Sequence, residues 1–121
     1  MPYQIITEPE GLMIVITGLY SDAEMNEASV KSWEHPNWLH NRYQIVDLTG
    51  IEGYSIEQSD VAVMAMKDNI AFRQIPTKMA LIAVDQSIVD LCNVYIDSVK
   101  SETMQTQIFP DEASARAWAN P

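Results

Sequence analysis

Short apolar or β-branched runs alternate with stretches of helical period along this chain, and that alternation limits the fold more than any other feature. The runs are Gln4–Thr7 with Met13–Thr17, then Tyr43–Leu48, then Met79–Val84, then Thr106–Phe109. Tyr3–Glu8 and Leu12–Leu19 flank only Pro9, Glu10 and Gly11, which reads as an opening β-hairpin. The later runs are separated by helical stretches, and strand–helix–strand units need parallel neighbours and right-handed crossovers. The prediction is an α/β fold: a five-stranded mixed sheet with helices packed on it, in the order β-β-α-β-α-β-α-β-α. No repeat, low-complexity tract or linker interrupts residues 1–121, so a single domain is expected.

Each turn into a helix carries a signal. Ser21 is placed to cap the first helix, with Glu24 in the capping-box position and Tyr20 and Met25 in the staple positions. That helix should end near Trp33 or Glu34, because Pro36 disfavours a helical conformation in the residue before it. Thr49-Gly50 reads as the break after the Tyr43–Leu48 strand, Gly50 and Gly53 as a turn, and Ser55 with Gln58 as a second capping box. In the helix that follows, Ile56, Val63, Met66 and Ile70 form the expected apolar stripe, widened by alanines and Met64. Met79–Val84 is a continuous apolar run, as in a strand covered on both faces. Ile88, Leu91, Cys92, Tyr95, Ile96 and Val99 mark one face of a third helix. Asp111 caps a short last helix carrying Ala113, Ala117 and Trp118.

Charge narrows the partners. Seventeen acidic against seven basic residues give a net charge of −10 over 121 residues. Nucleic-acid and anionic-membrane binding both depend on Lys/Arg clusters, so no nucleic-acid partner is expected. The longest apolar runs fall far short of the roughly 20 residues that cross a bilayer, so no membrane insertion is expected. The N-terminus lacks the basic segment and apolar core of a signal peptide. Cys92 is the only cysteine, which excludes an internal disulfide and fits a cytoplasmic location.

Residues that could carry chemistry are few. Asp47, Asp85 and Asp111 fall at or beyond strand ends, where open α/β sheets place ligands, and three such carboxylates could serve a metal-assisted enzyme. Asp85 and Asp111 are equally suited to capping helices. His35 and His40 share a loop with Trp33 and Trp38, but zinc needs three or four ligands and no cysteine is near in sequence. No Gly-x-Ser-x-Gly motif is present. Cys92 sits on an apolar helix stripe without cationic neighbours, as a buried structural thiol does. No catalytic set, metal or cofactor is expected, and the chain reads as non-enzymatic.

Methionines and aromatics keep binding in view. Met25, Trp33 and Trp38 could cover a cleft between the first helix and the sheet, with Met64 and Met66 lining the second helix. Such a pocket would take a small hydrophobic ligand. An exposed Trp33–Trp38 patch could instead join two copies in a homodimer.

The order of elements resembles the STAS fold of anti-sigma-factor antagonists and sulfate-transporter tails, and more closely the bacterial SpoIIAA-like family, whose shape is shared with CRAL-TRIO lipid-binding domains. The features that carry the resemblance are the hairpin start, the YQIVDLTG strand with Asp47, the KMALIAV strand, and the tail TQIFPDEASARAWAN with Phe109, Ala113 and Trp118. It implies a regulatory module acting through protein contacts, with a CRAL-TRIO-like carrier or sensor of a hydrophobic ligand or lipid as the other reading. STAS phosphoswitch proteins carry an Asp-Ser-Ser/Thr-Gly stretch at the start of the helix after the third strand, and its serine receives phosphate. Here the stretch is Ile51–Glu57, and only Ser55 matches that serine. Phosphate there would meet a favourable helix N-terminus but also Glu52 and Glu57. The partner surface expected from the resemblance is Thr49, Gly50, Glu52, Gly53, Tyr54 and Ser55.

Overall fold

The computed structural model describes residues 3–36, 41–72, 75–99 and 103–120. The chain forms β1 (Tyr3–Thr7), β2 (Gly11–Ser21), α1 (Asp22–Trp33), β3 (Tyr43–Ser55), α2 (Gln58–Ala71), β4 (Thr77–Ile82), α3 (Gln86–Ser98), β5 (Met104–Phe109) and α4 (Glu112–Ala119). The sheet has the order β1-β2-β3-β4-β5, with β1 antiparallel to β2 and the other neighbours parallel. This is the mixed five-stranded architecture that the alternating pattern predicts.

Because β2 to β5 are neighbours in chain order, successive right-handed crossovers carry α1, α2 and α3 to the same face. Ile14 and Ile16 of β2 pack there with Met25 and Ala28 of α1. Met79 and Leu81 of β4 pack with Val61 and Ala65 of α2 and Ile88, Cys92 and Tyr95 of α3. The alternate residues, Met13, Tyr43, Ile45, Ala80 and Ile82, point to the other face, which α4 covers with Ala115 and Ala119. Ala113 and Ala117 of α4 are exposed, so the inward alanines are the other pair. α4 is also tied to the β1–β2 turn: Arg116 donates to both carboxylate oxygens of Glu8 at 3.0 and 2.7 Å, and Tyr43 donates to the same carboxylate.

Gly11 and Gly18 have steric reasons. A Cβ on Gly11 would stand 2.6 Å from the Tyr43 ring and from the Tyr43 carbonyl, its partner across the β2–β3 ladder. Gly18 has φ +71° within β2, where the register with β3 shifts, a conformation that L side chains rarely adopt.

The expected start of α1 is observed: Ser21 Oγ accepts from the Glu24 N–H, and Glu24 Oε1 accepts from the Ser21 N–H at 3.1 Å. Two expectations around α2 fail. The strand does not break at Thr49-Gly50, and Ser55 does not cap the helix. Residues 50 to 55 continue as β3, and Glu57 is the N-cap, its N–H donating to Asp60 Oδ2 at 2.8 Å. Gly50 and Gly53 mark close approach to β2, not a turn: a Cβ on Gly50 would meet the Ile16 carbonyl at 2.9 Å. The stripe of α2 is also misplaced. Val63, Met66 and Ile70 are 50%, 64% and 69% exposed, whereas Val61, Ala65 and Asp68 are buried.

A candidate binding cavity under three helices

Each crossover helix runs back against the strands, so the last turns of α1 and α2 lie over the first residues of β3 and β4. Ser32 and Trp33 end α1, Asp68 lies in the last turn of α2, and Gln44 is the second residue of β3. These polar groups therefore gather at one end of the helix-covered face. Tyr20, Met25, Ile51 and Ile56 lie toward the other end.

Between them is a cavity of about 120 Å³. Its walls are mostly apolar: Ile14 and Ile16 from β2, Val46 from β3, Leu81 from β4, Met25 from α1 and Met64 from α2. Gln44, Asp68 and Tyr95 also line it. Gln44 and Asp68 are only 3% and 5% exposed. The Tyr95 hydroxyl donates to Asp68 Oδ2 at 2.6 Å. Burial pushes the Asp68 carboxyl up to about 6, opposed by the Tyr95 bond and by the nearby Trp33 indole. Burial and the Asp68 charge together raise the Tyr95 hydroxyl well above its ordinary value. The Trp33 indole N–H helps the carboxylate electrostatically but reaches no acceptor in hydrogen-bond geometry among the described residues. Gln44 Nε2 is buried and has no hydrogen-bond partner among the described residues. Burial alone pushes the Cys92 thiol, another wall residue, up to about 11, as befits an inert structural cysteine.

Of the pocket residues expected from sequence, Met25 and Met64 line the cavity, and Ser29 Oγ donates to the Met64 sulfur at 3.2 Å. Trp33 stands beside Asp68 and is not a wall residue. Met66 faces outward, and Trp38 and His40 lie outside the described residues. Gln44, Asp68 and Tyr95 were missed. A signal for Asp68 existed: Val61, Ala65, Asp68 and Phe72 follow spacings of four, three and four, a helical stripe hidden by its small and charged members.

The expected partner surface takes a different form from the turn that its sequence suggested. β3 pairs with β4 only as far as Asp47, and β1 covers β2 only as far as Ile16. Beyond those points Gly18–Ser21 and Ile51–Ser55 form a two-stranded parallel ribbon. Thr49, Glu52, Tyr54 and Ser55 are exposed on it, Gly50 and Gly53 are half-buried, and Leu19 is 76% exposed. Ser55 pairs with Ser21 at the ribbon's end, two residues short of the helix cap.

The three strand-end carboxylates serve local turns. Asp47 accepts from the Thr49 N–H and hydroxyl at 3.0 and 2.6 Å. Asp85 accepts in the same way from Ser87 at 3.0 and 2.6 Å, and Asp111 accepts from the Ser114 N–H at 2.8 Å. These bonds hold Asp85 and Asp111 below the usual carboxylate range. Among the described residues, no three His, Cys, Asp or Glu side chains converge as metal ligands, and no helix is long and apolar enough to cross a membrane.

No family model and no curated protein matches the chain. Solved structures do, among them these two. One is an uncharacterized protein of the DUF3478 family with a SpoIIAA-like fold from Shewanella loihica PV-4, at TM-score 0.63 and 14% identity over 97% of this chain and 91% of that one. The other is the anti-sigma factor antagonist SpoIIAA in its unphosphorylated form, at TM-score 0.66 and 7% identity over 95% of this chain and 94% of that one. The fold is SpoIIAA-like. Such low identities establish the SpoIIAA-like architecture and carry no residue roles across, so the site rests on its own geometry.

Proposed function

We propose that this chain is a non-enzymatic SpoIIAA-like binding module that takes a small apolar molecule into the cavity beneath α1, α2 and α3. The observation that carries this reading is the cavity's size. Protein interiors contain few voids much larger than a water molecule. An engineered apolar cavity of about 150 Å³ holds benzene, so this one has room for a single ring and not for a long acyl chain. That size argues against a lipid carrier and for a sensor of a small molecule.

Methionine methyl NMR tests the reading. Added benzene or cyclohexane should shift the Met25 and Met64 methyls and leave the exposed Met66 methyl in place. Unmoved signals, or equal shifts at all three, would refute it.

A second reading, contact with a protein partner, is favoured by the β2–β3 ribbon. Among the described residues its outer edges carry no ladder partner, as in edge strands that accept a partner strand. Ile51 and Tyr54 belong to both the ribbon and the cavity wall, so an occupant and a partner would touch the same element. Replacing Tyr54 and Leu19 with serine should abolish partner capture while the fold persists by circular dichroism. Unchanged capture would count against the ribbon.

A further inference from the structure

The cavity is chemically lopsided, and its polar end states what an occupant must offer. Gln44 lines the cavity, and its Nε2 is a buried donor that finds no acceptor among the described residues, an unfavourable state for a desolvated N–H. The Asp68 carboxyl receives the Tyr95 hydroxyl at Oδ2 and no other hydrogen bond among the described residues. An ammonium ligand has no acceptor for the Gln44 N–H. A carboxylate ligand has one, but it would bury a second negative charge beside Asp68. A plain hydrocarbon leaves Gln44 as it is. A hydroxyl can accept from Gln44 and still has a proton to donate toward Asp68.

We propose that the occupant is an uncharged, hydroxylated molecule about the size of one ring, a phenol or a cyclic alcohol, with its hydroxyl at the Gln44–Asp68 end and its ring against Met25, Met64 and Leu81. This rests on the cavity reading above and adds a chemical class to it. Gln44 and Asp68 are then the specificity-determining residues.

Calorimetry or NMR titration of the intact protein near neutral pH with phenol, cyclohexanol, benzene and benzoate tests it. Phenol should bind about five- to tenfold more tightly than benzene, cyclohexanol should bind, and benzoate should not. Gln44→Met, close in size and unable to donate, should bring the phenol and benzene affinities to within about twofold of each other. Asp68→Asn, which keeps an acceptor for Tyr95, should admit benzoate. Benzene binding as tightly as phenol would overturn the hydroxyl assignment and leave the apolar cavity standing, with an ordered water on Gln44. So would a preference for phenol that survives in Gln44→Met. Binding by none of the four probes would remove the cavity reading itself.

Discussion

Asp68 sits in an environment that opposes its ordinary charge state. It is almost fully buried, faces Tyr95 and Trp33, and no charged side chain contributes to holding its carboxyl up at about 6. The native state therefore holds a proton that the unfolded chain, with an ordinary value of 3.8, releases. Between those two values stability falls as pH rises, and above about 6 the full cost of a buried carboxylate remains. Asp68→Asn imitates the protonated form. It should raise the melting temperature at about pH 8, by a gain on the order of 3 kcal/mol, and change little at about pH 4. Thermal melts at both pH values check this; an equal effect at both would mean that Asp68 is not the titrating group. Glu8 has the opposite sign, because the Arg116 guanidinium holds its carboxyl below the ordinary value, so its contribution is present above that value and fades in acid.

Among the elements, α1, α3 and α4 start where their capping residues say they should, because Ser21, Asp85 and Asp111 each satisfy a backbone N–H locally. Local chemistry of that kind is legible in one sequence. α2 is not, for two reasons. Its strand continues through Gly50 and Gly53, which a sequence reader takes as breaks and the sheet uses for close approach. Its inward face carries Ala65 and Asp68, while three larger apolar residues look outward, so hydrophobicity points to the wrong side. Such a conflict between local pattern and fold is expected where a site is built. The consequence is measurable by chemical denaturation. Met66→Gln and Ile70→Gln should each change stability by less than about 0.5 kcal/mol, whereas Val61→Ala should cost about 1–3 kcal/mol. Equal costs on both faces would contradict the orientation of α2.

For the whole molecule, one topological fact produces both the fold and the site. Parallel strands laid down in chain order send three helices to one face, leaving the other to α4 alone. The alternation of strand and helix signals was enough to anticipate that sheet. The hollow was not legible, because a cavity is defined by where side chains from three helices fail to meet, and no residue type announces it. Met25 and Met64 stand out by their adaptability, but what marks Gln44 is its burial together with an N–H that has no acceptor among the described residues, and neither is legible in sequence. The most direct measurement is a crystal structure determined under xenon pressure. The account predicts a xenon atom among Met25, Met64 and Leu81. The same volume filled by hydrogen-bonded waters, or closed by side chains, with no xenon bound, would contradict it.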